Sequence, residues 1–139
     1  MSEKEFALYL YNTMQTKRID SLTKCLTIGQ KLNKELSSIA GSTLVSDELR
    51  HKFLQIDSEA VRALDAELRV MTDINNEVIA FVKYIETLRD TFDKGIMISR
   101  YFHGFQWTEI ERLTGKSEST VLRRHRKCIR EYMTLNNIT

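Results

Sequence analysis

Apolar residues in the first half of the chain recur at steps of three and four. Leu22, Cys25, Leu26, Gly29, Leu32, Leu36 and Ile39 make one such series, the period of an amphipathic helix with Gly29 as its only weak point. Phe6, Leu10 and Met14 extend the pattern forwards. Gly41-Ser-Thr punctuates its end, and Ser46-Asp-Glu offers an N-cap with acids in the first turn of the next helix. That helix is marked by Leu49, Phe53, Ile56, Ala60, Val61, Leu64, Leu68 and Met71 and runs to about Thr72. A break is expected near Asp73 to Asn76, after which Ile74, Val78, Val82, Ile85 and Leu88 continue a stripe. Alternation of the strand kind and Asn-Gly hairpin signals are absent from the sequence, so the fold is expected to be all-α.

The last third has a different grammar. Trp107-Thr-Glu-Ile-Glu-Arg-Leu-Thr predicts a short helix, Gly115 a left-handed residue that ends it, and Ser117 an N-cap opening a second helix at about Glu118. On that second helix Val121, Cys128, Ile129 and Tyr132 fall near one stripe with His125 among them. Ser119, Leu122, Arg123, Arg126, Lys127 and Arg130 lie largely off it. A short helix, a glycine turn and a basic helix form the pattern of a DNA-reading helix-turn-helix.

Charge strengthens that reading. The whole chain is only +2, but residues 100–139 hold eight Lys/Arg against four Asp/Glu, leaving 13 against 15 for residues 1–99. From Ser117 to Glu131 there are five basic residues and two acidic ones. A basic tail on a slightly acidic body is the distribution expected of a nucleic-acid contact surface, although a solvated helix face can also be basic.

Residues from about Leu88 to Leu135 resemble the promoter-binding region 4 of bacterial sigma-70 factors, through Ile98-Ser-Arg-Tyr-Phe-His-Gly104, Trp107-Thr-Glu-Ile110, Gly115, Ser117 and Thr120-Val121. They are still more similar to small phage transcription regulators of Gram-positive hosts, the group of the ArpU and RinA late-gene regulators, which share the Trp-x-x-Ile helix and the Arg124-His125 element. Glu111 stands where sigma factors usually have Ala, and His125 where they usually have Leu, so the local core should be more polar and His125 should need a hydrogen-bond partner. Residues 1–99 also resemble no further promoter-reading domain, which favours the phage regulators over a sigma factor.

The resemblance implies a supporting helix from Trp107 to Leu113 and a recognition helix from Ser117 to about Met133. Glu118, Ser119, Leu122 and Arg123 become the candidates for base edges, and Lys116, Thr120, Arg124, Arg126, Lys127 and Arg130 those for phosphates. Arg124 has pairing with an acid such as Glu131 as its alternative. Trp107, Ile110, Leu113, Gly115, Val121, His125 and Ile129 make up the motif core. Residues 91–139 then form the helix-turn-helix domain. Residues 1–90 form long helices, either a hairpin closed within one chain or a dimerisation module completed by a second copy.

Catalysis is not expected. His125 and Cys128 lie three apart on a helix, but zinc takes about four ligands and the usual paired spacings are missing. Phosphate-cradling glycine loops and nucleophile elbows are absent too. Glu109, Glu111 and His51 read as surface residues. Cys25 and Cys128 are expected to be reduced thiols. With no apolar run long enough for a membrane span and no apolar signal core after Met1-Ser-Glu-Lys, a cytoplasmic location in a bacterial host is expected. The function expected is a sequence-specific double-stranded DNA-binding regulator, an activator of late genes that touches host RNA polymerase, needs no cofactor and pairs as a homodimer through residues 1–90. The alternatives are a small terminase subunit that binds a packaging site and a helical protein-interaction module.

Overall fold

In a computed structural model of the protein, residues 1–40 and 47–139 are described, except for the side chains of 36, 39, 40, 49, 53, 54 and 56–58. The described elements are all helical: α1 (Glu3–Asn12), a π-helical turn (Thr13–Lys17), α2 (Arg18–Ala40), α3 (Asp47–Thr87), α4 (Thr91–Tyr101), α5 (Trp107–Thr114) and α6 (Glu118–Leu135). The turn expected at Gly41-Ser-Thr, the Ser46 cap and the stripe positions Leu36, Ile39, Leu49, Phe53 and Ile56 lie outside the described residues or side chains. Among the described residues, no helix is long and apolar enough to cross a membrane.

The expected break near Asp73 to Asn76 does not occur, because α3 runs unbroken through it. The segment holds neither Gly nor Pro, and polar residues in a helix interior cost only tenths of a kcal/mol each. Ile74 is buried, so tertiary packing holds the segment in place.

Packing also groups the chain differently from a division at residue 90. Met1–Arg18 and Ile74–Thr139 form one compact unit, and Ile19–Asp73 form another. In the first, Phe6, Leu10 and Met14 pack with Phe81, Tyr84 and Ile85, with Met97 and Tyr101 of α4, and with Cys128, Ile129, Tyr132 and Met133 of α6. Short helices after residue 90 bury too little apolar surface alone. Phe81 supplies much of the missing surface, meeting Tyr101 edge-on at 5.3 Å and Tyr132 at 5.5 Å between ring centroids. A smaller cluster of Ile96, Ile110 and Val121, flanked by Phe92, Phe105 and Trp107, joins α4, α5 and α6.

In the unit of residues 19–73, Ile28 and Leu32 of α2 and Ala60 and Ala63 of α3 line a groove of about 560 Å³. Among the described residues of this unit no apolar side chain is buried, whereas Ser21 is.

Candidate nucleic-acid interface

The two helices and the turn between them form from local chemistry. At the start of α5 the Glu109 carboxylate accepts the Gln106 N–H at 3.2 Å, closing a capping box. Glu109 is therefore a cap and not the freely solvated acid expected. The helix ends at Gly115, whose φ of +69° is the left-handed conformation and whose N–H donates to the Glu111 carbonyl at 2.9 Å. After a three-residue turn, the Ser117 hydroxyl accepts the Thr120 N–H, and α6 starts at Glu118, as the sequence predicts.

Packing then fixes how α6 is held. Val121 is fully buried against Ile110 and Ile96. His125 is buried under Trp107, with the rings edge to face at 4.5 Å, and its Nε2 hydrogen-bonds the Tyr101 hydroxyl at 2.7 Å. The partner expected for a polar residue in this core is thus Tyr101. Burial, reinforced by the nearby positive Arg100 and Arg126, pushes the His125 imidazolium down to about 4. Burial also raises the Tyr101 phenol, so the pair is neutral at physiological pH.

Arg100 braces this arrangement from outside. Its guanidinium lies 4.3 Å from the Tyr11 ring and 4.7 Å from the Trp107 ring, and donates to the Phe105 carbonyl at 2.9 Å. Gln15 secures the end of α4 by donating to the Tyr101 carbonyl at 2.7 Å. That contact explains Gly104, where φ is +69° and an added Cβ would lie 2.6 Å from the Gln15 amide oxygen. Trp107 is half-buried, and Gly115, Val121, His125, Ile110 and Ile129 occupy the places expected of them. Leu113 does not: it is 60% exposed and is no part of the core, because the last turn of α5 points it away from α4 and α6.

The candidate contact residues divide into two groups. Glu118, Ser119, Arg123, Arg126 and Lys127 are exposed on α6, as is Lys116 in the turn. Arg123, Arg126 and Lys127 form no ion pair among the described residues. Leu122 is half-buried at the edge of a groove that Trp107, Arg126 and Ile129 also line. Thr120 is half-buried as well, and its hydroxyl is engaged by Ser117 at 2.9 Å.

Arg124 follows the acid-pairing alternative, with acids other than Glu131. It pairs with Asp90 at 2.5 Å and with Asp93 at 2.9 Å, and its guanidinium lies over the Phe92 ring. Glu131 instead accepts from the Tyr84 hydroxyl at 3.1 Å. Asp93 has a side chain only 5% exposed, and Arg124 compensates its charge. Asp90 serves as the N-cap of α4 as well, accepting from Phe92 and Asp93 N–H groups, and these bonds first, then Arg124, lower its carboxyl. Arg130 remains exposed but pairs with Glu3 at 2.7 Å, and this contact holds the Glu3 carboxyl below its ordinary range.

Sequence reasoning missed Arg100, Asp90 and Asp93. Asp90-Thr-Phe-Asp93 carries an N-cap signature, but nothing local links it to a residue 34 positions away. Comparison with protein-family models, with curated proteins and with solved structures found no match.

Proposed function

We propose that this chain is a sequence-specific double-stranded DNA-binding regulator of transcription, of the phage or mobile-element type. The observation that carries the reading is the set of uncompensated cations Arg123, Arg126 and Lys127, exposed on a capped helix whose opposite side is locked by Val121, His125 and Ile129. A rigid helix with free guanidinium groups suits major-groove entry, where Arg reads guanine O6 and N7 and Lys neutralises phosphate. The resemblance of residues 88–135 to small phage regulators supports a late-gene activator that contacts host RNA polymerase.

In this reading Ser119 and Arg123 address base edges, with Glu118 beside them, while Lys116, Arg126 and Lys127 hold the backbone. Arg130 joins them on exchanging Glu3 for a phosphate. The test is selection of bound genomic fragments, followed by footprinting and titration of the selected duplex at two salt concentrations. Each phosphate contact contributes about 0.9 to the slope of log affinity against log salt. Arg126→Ala and Lys127→Ala should each lower that slope by roughly one and weaken all duplexes alike, whereas Arg123→Ala should also narrow the gap between selected and random sequence. Absence of salt-dependent duplex binding by the unaltered protein would overturn the proposal.

A further inference from the structure

Between α1 and α6, within the unit of residues 1–18 and 74–139, runs a groove of about 1290 Å³. Its walls follow from helical spacing. Lys4, Leu8 and Tyr11 line it from α1, and Leu122, Arg126, Ile129 and Met133 from α6, at steps of three and four on each side. Ile129 and Met133 make a buried apolar floor, yet Leu8 on the rim is 62% exposed. The groove exceeds the roughly 300–1,000 Å³ of small-molecule pockets, and the wall from Leu122 to Met133 extends for roughly 16 Å.

One end of the groove holds charge that the protein does not balance. The half-buried Arg100 guanidinium lies 4.3 Å from the Tyr11 ring and 4.7 Å from the Trp107 ring, and donates only to the neutral Phe105 carbonyl among the described residues. Arg126 also lines the groove and, like Arg100 and Lys4, forms no ion pair among the described residues. Both guanidinium groups bear on the same buried His125 ring, so they converge. The acids along the groove are engaged: Glu3 bonds Arg130 and acts on Arg126 only weakly, and Glu5 accepts the Ser2 N–H at 2.9 Å. A cation flanked by rings and apolar walls is less screened than one on an open surface, so an acid arriving there gains more.

We propose that this groove seats an acidic amphipathic helix of a partner protein, its apolar face against Leu8, Leu122 and Met133 and a carboxylate at Arg100 and Arg126. Charge complementarity selects that occupant. A DNA backbone would place phosphate on the two arginines but leave Leu8 in water, whereas a neutral helix would cover Leu8 but leave Arg100 unbalanced. A helix with apolar anchors at three- and four-residue steps and an acid at one end satisfies both, and the wall accommodates about three of its turns. The inference stands independently of the DNA reading. Arg126 borders both the groove and the exposed side of α6, so an occupied groove and a phosphate contact compete for it.

Fluorescence anisotropy with the full chain tests this. The probe is a labelled helical peptide of about four turns, with Leu at alternating steps of four and three and Glu at the other surface positions; a comparison peptide carries Lys for every Glu. The acidic peptide should bind with a Kd on the order of 10 μM and the Lys peptide at least roughly tenfold more weakly. Leu8→Glu and Arg126→Glu should each weaken the acidic peptide by roughly tenfold, with melting curves showing the fold retained. Leu113→Glu is the control, because Leu113 is 60% exposed and lies outside the groove. It should leave peptide binding unchanged. No binding at about 500 μM, equal affinity for the Lys peptide, or equal weakening by Leu113→Glu would overturn the proposal. So would a Leu8→Glu protein that keeps the peptide but loses duplex binding, which assigns the groove to DNA, or self-association in sedimentation that Leu8→Glu abolishes, which assigns it to a second copy.

Discussion

Acidification from pH 7 to pH 5 should destabilise the unit that contains α6, through His125 in particular. Its imidazolium is held down to about 4 by burial and by Arg100 and Arg126, against 6.5 for an ordinary histidine. In this interval the unfolded chain takes up a proton at His125 that the folded chain refuses, so stability is full above pH 6.5 and is lost as pH falls towards 4. Integrating the difference gives a loss of about 2 kcal/mol between pH 7 and pH 5. The carboxylates with lowered values, Glu3, Glu5 and Asp90, titrate below this window and contribute little to it. Urea unfolding followed by Trp107 fluorescence measures the right unit, since Trp107 is the single tryptophan and touches His125. His125→Leu removes the titrating group and should flatten the profile between pH 7 and pH 5. It also leaves the Tyr101 hydroxyl without its partner, lowering stability at pH 7 by about 1–3 kcal/mol. A His125→Leu protein that loses as much stability from pH 7 to pH 5 as the unaltered one would refute the assignment.

Gly115→Ala should lower the stability of the same unit by about 1 kcal/mol, since φ is +69° there, and Ser117→Ala by a similar amount through loss of the α6 cap; urea midpoints measure both. Arg124→Ala should lower the melting temperature by leaving the buried Asp93 carboxylate unpaired, while Arg123→Ala should leave it unchanged; calorimetry separates the two, and equal shifts would count against the division of roles. Leu113→Gln should change stability by less than about 0.5 kcal/mol in chemical denaturation, as expected for a side chain 60% exposed.

Much of the fold was readable in the sequence because its signals are local. Helical spacing located the long helices, Gly115 and Ser117 marked the turn to within a residue, and the off-stripe positions of α6 carry the exposed cations. Where local signals were weak, tertiary contacts decided. Asp73 to Asn76 stays helical because Ile74 is buried, and Leu113 is exposed because the last turn of α5 points it away from α4 and α6. The role of Arg124 depends on Asp90 and Asp93, and that of Arg130 on Glu3, 127 residues away.

The sequence by itself therefore determined the all-helical character, where the turn before α6 lies and how many positive charges α6 bears. Only the tertiary structure decided which of those charges remain free. Charge along a chain is a local property, but its compensation depends on acids brought close by folding. Arg124 is consumed by Asp90 and Asp93 in this way, which leaves Arg123, Arg126 and Lys127 as the uncompensated cations of the helix.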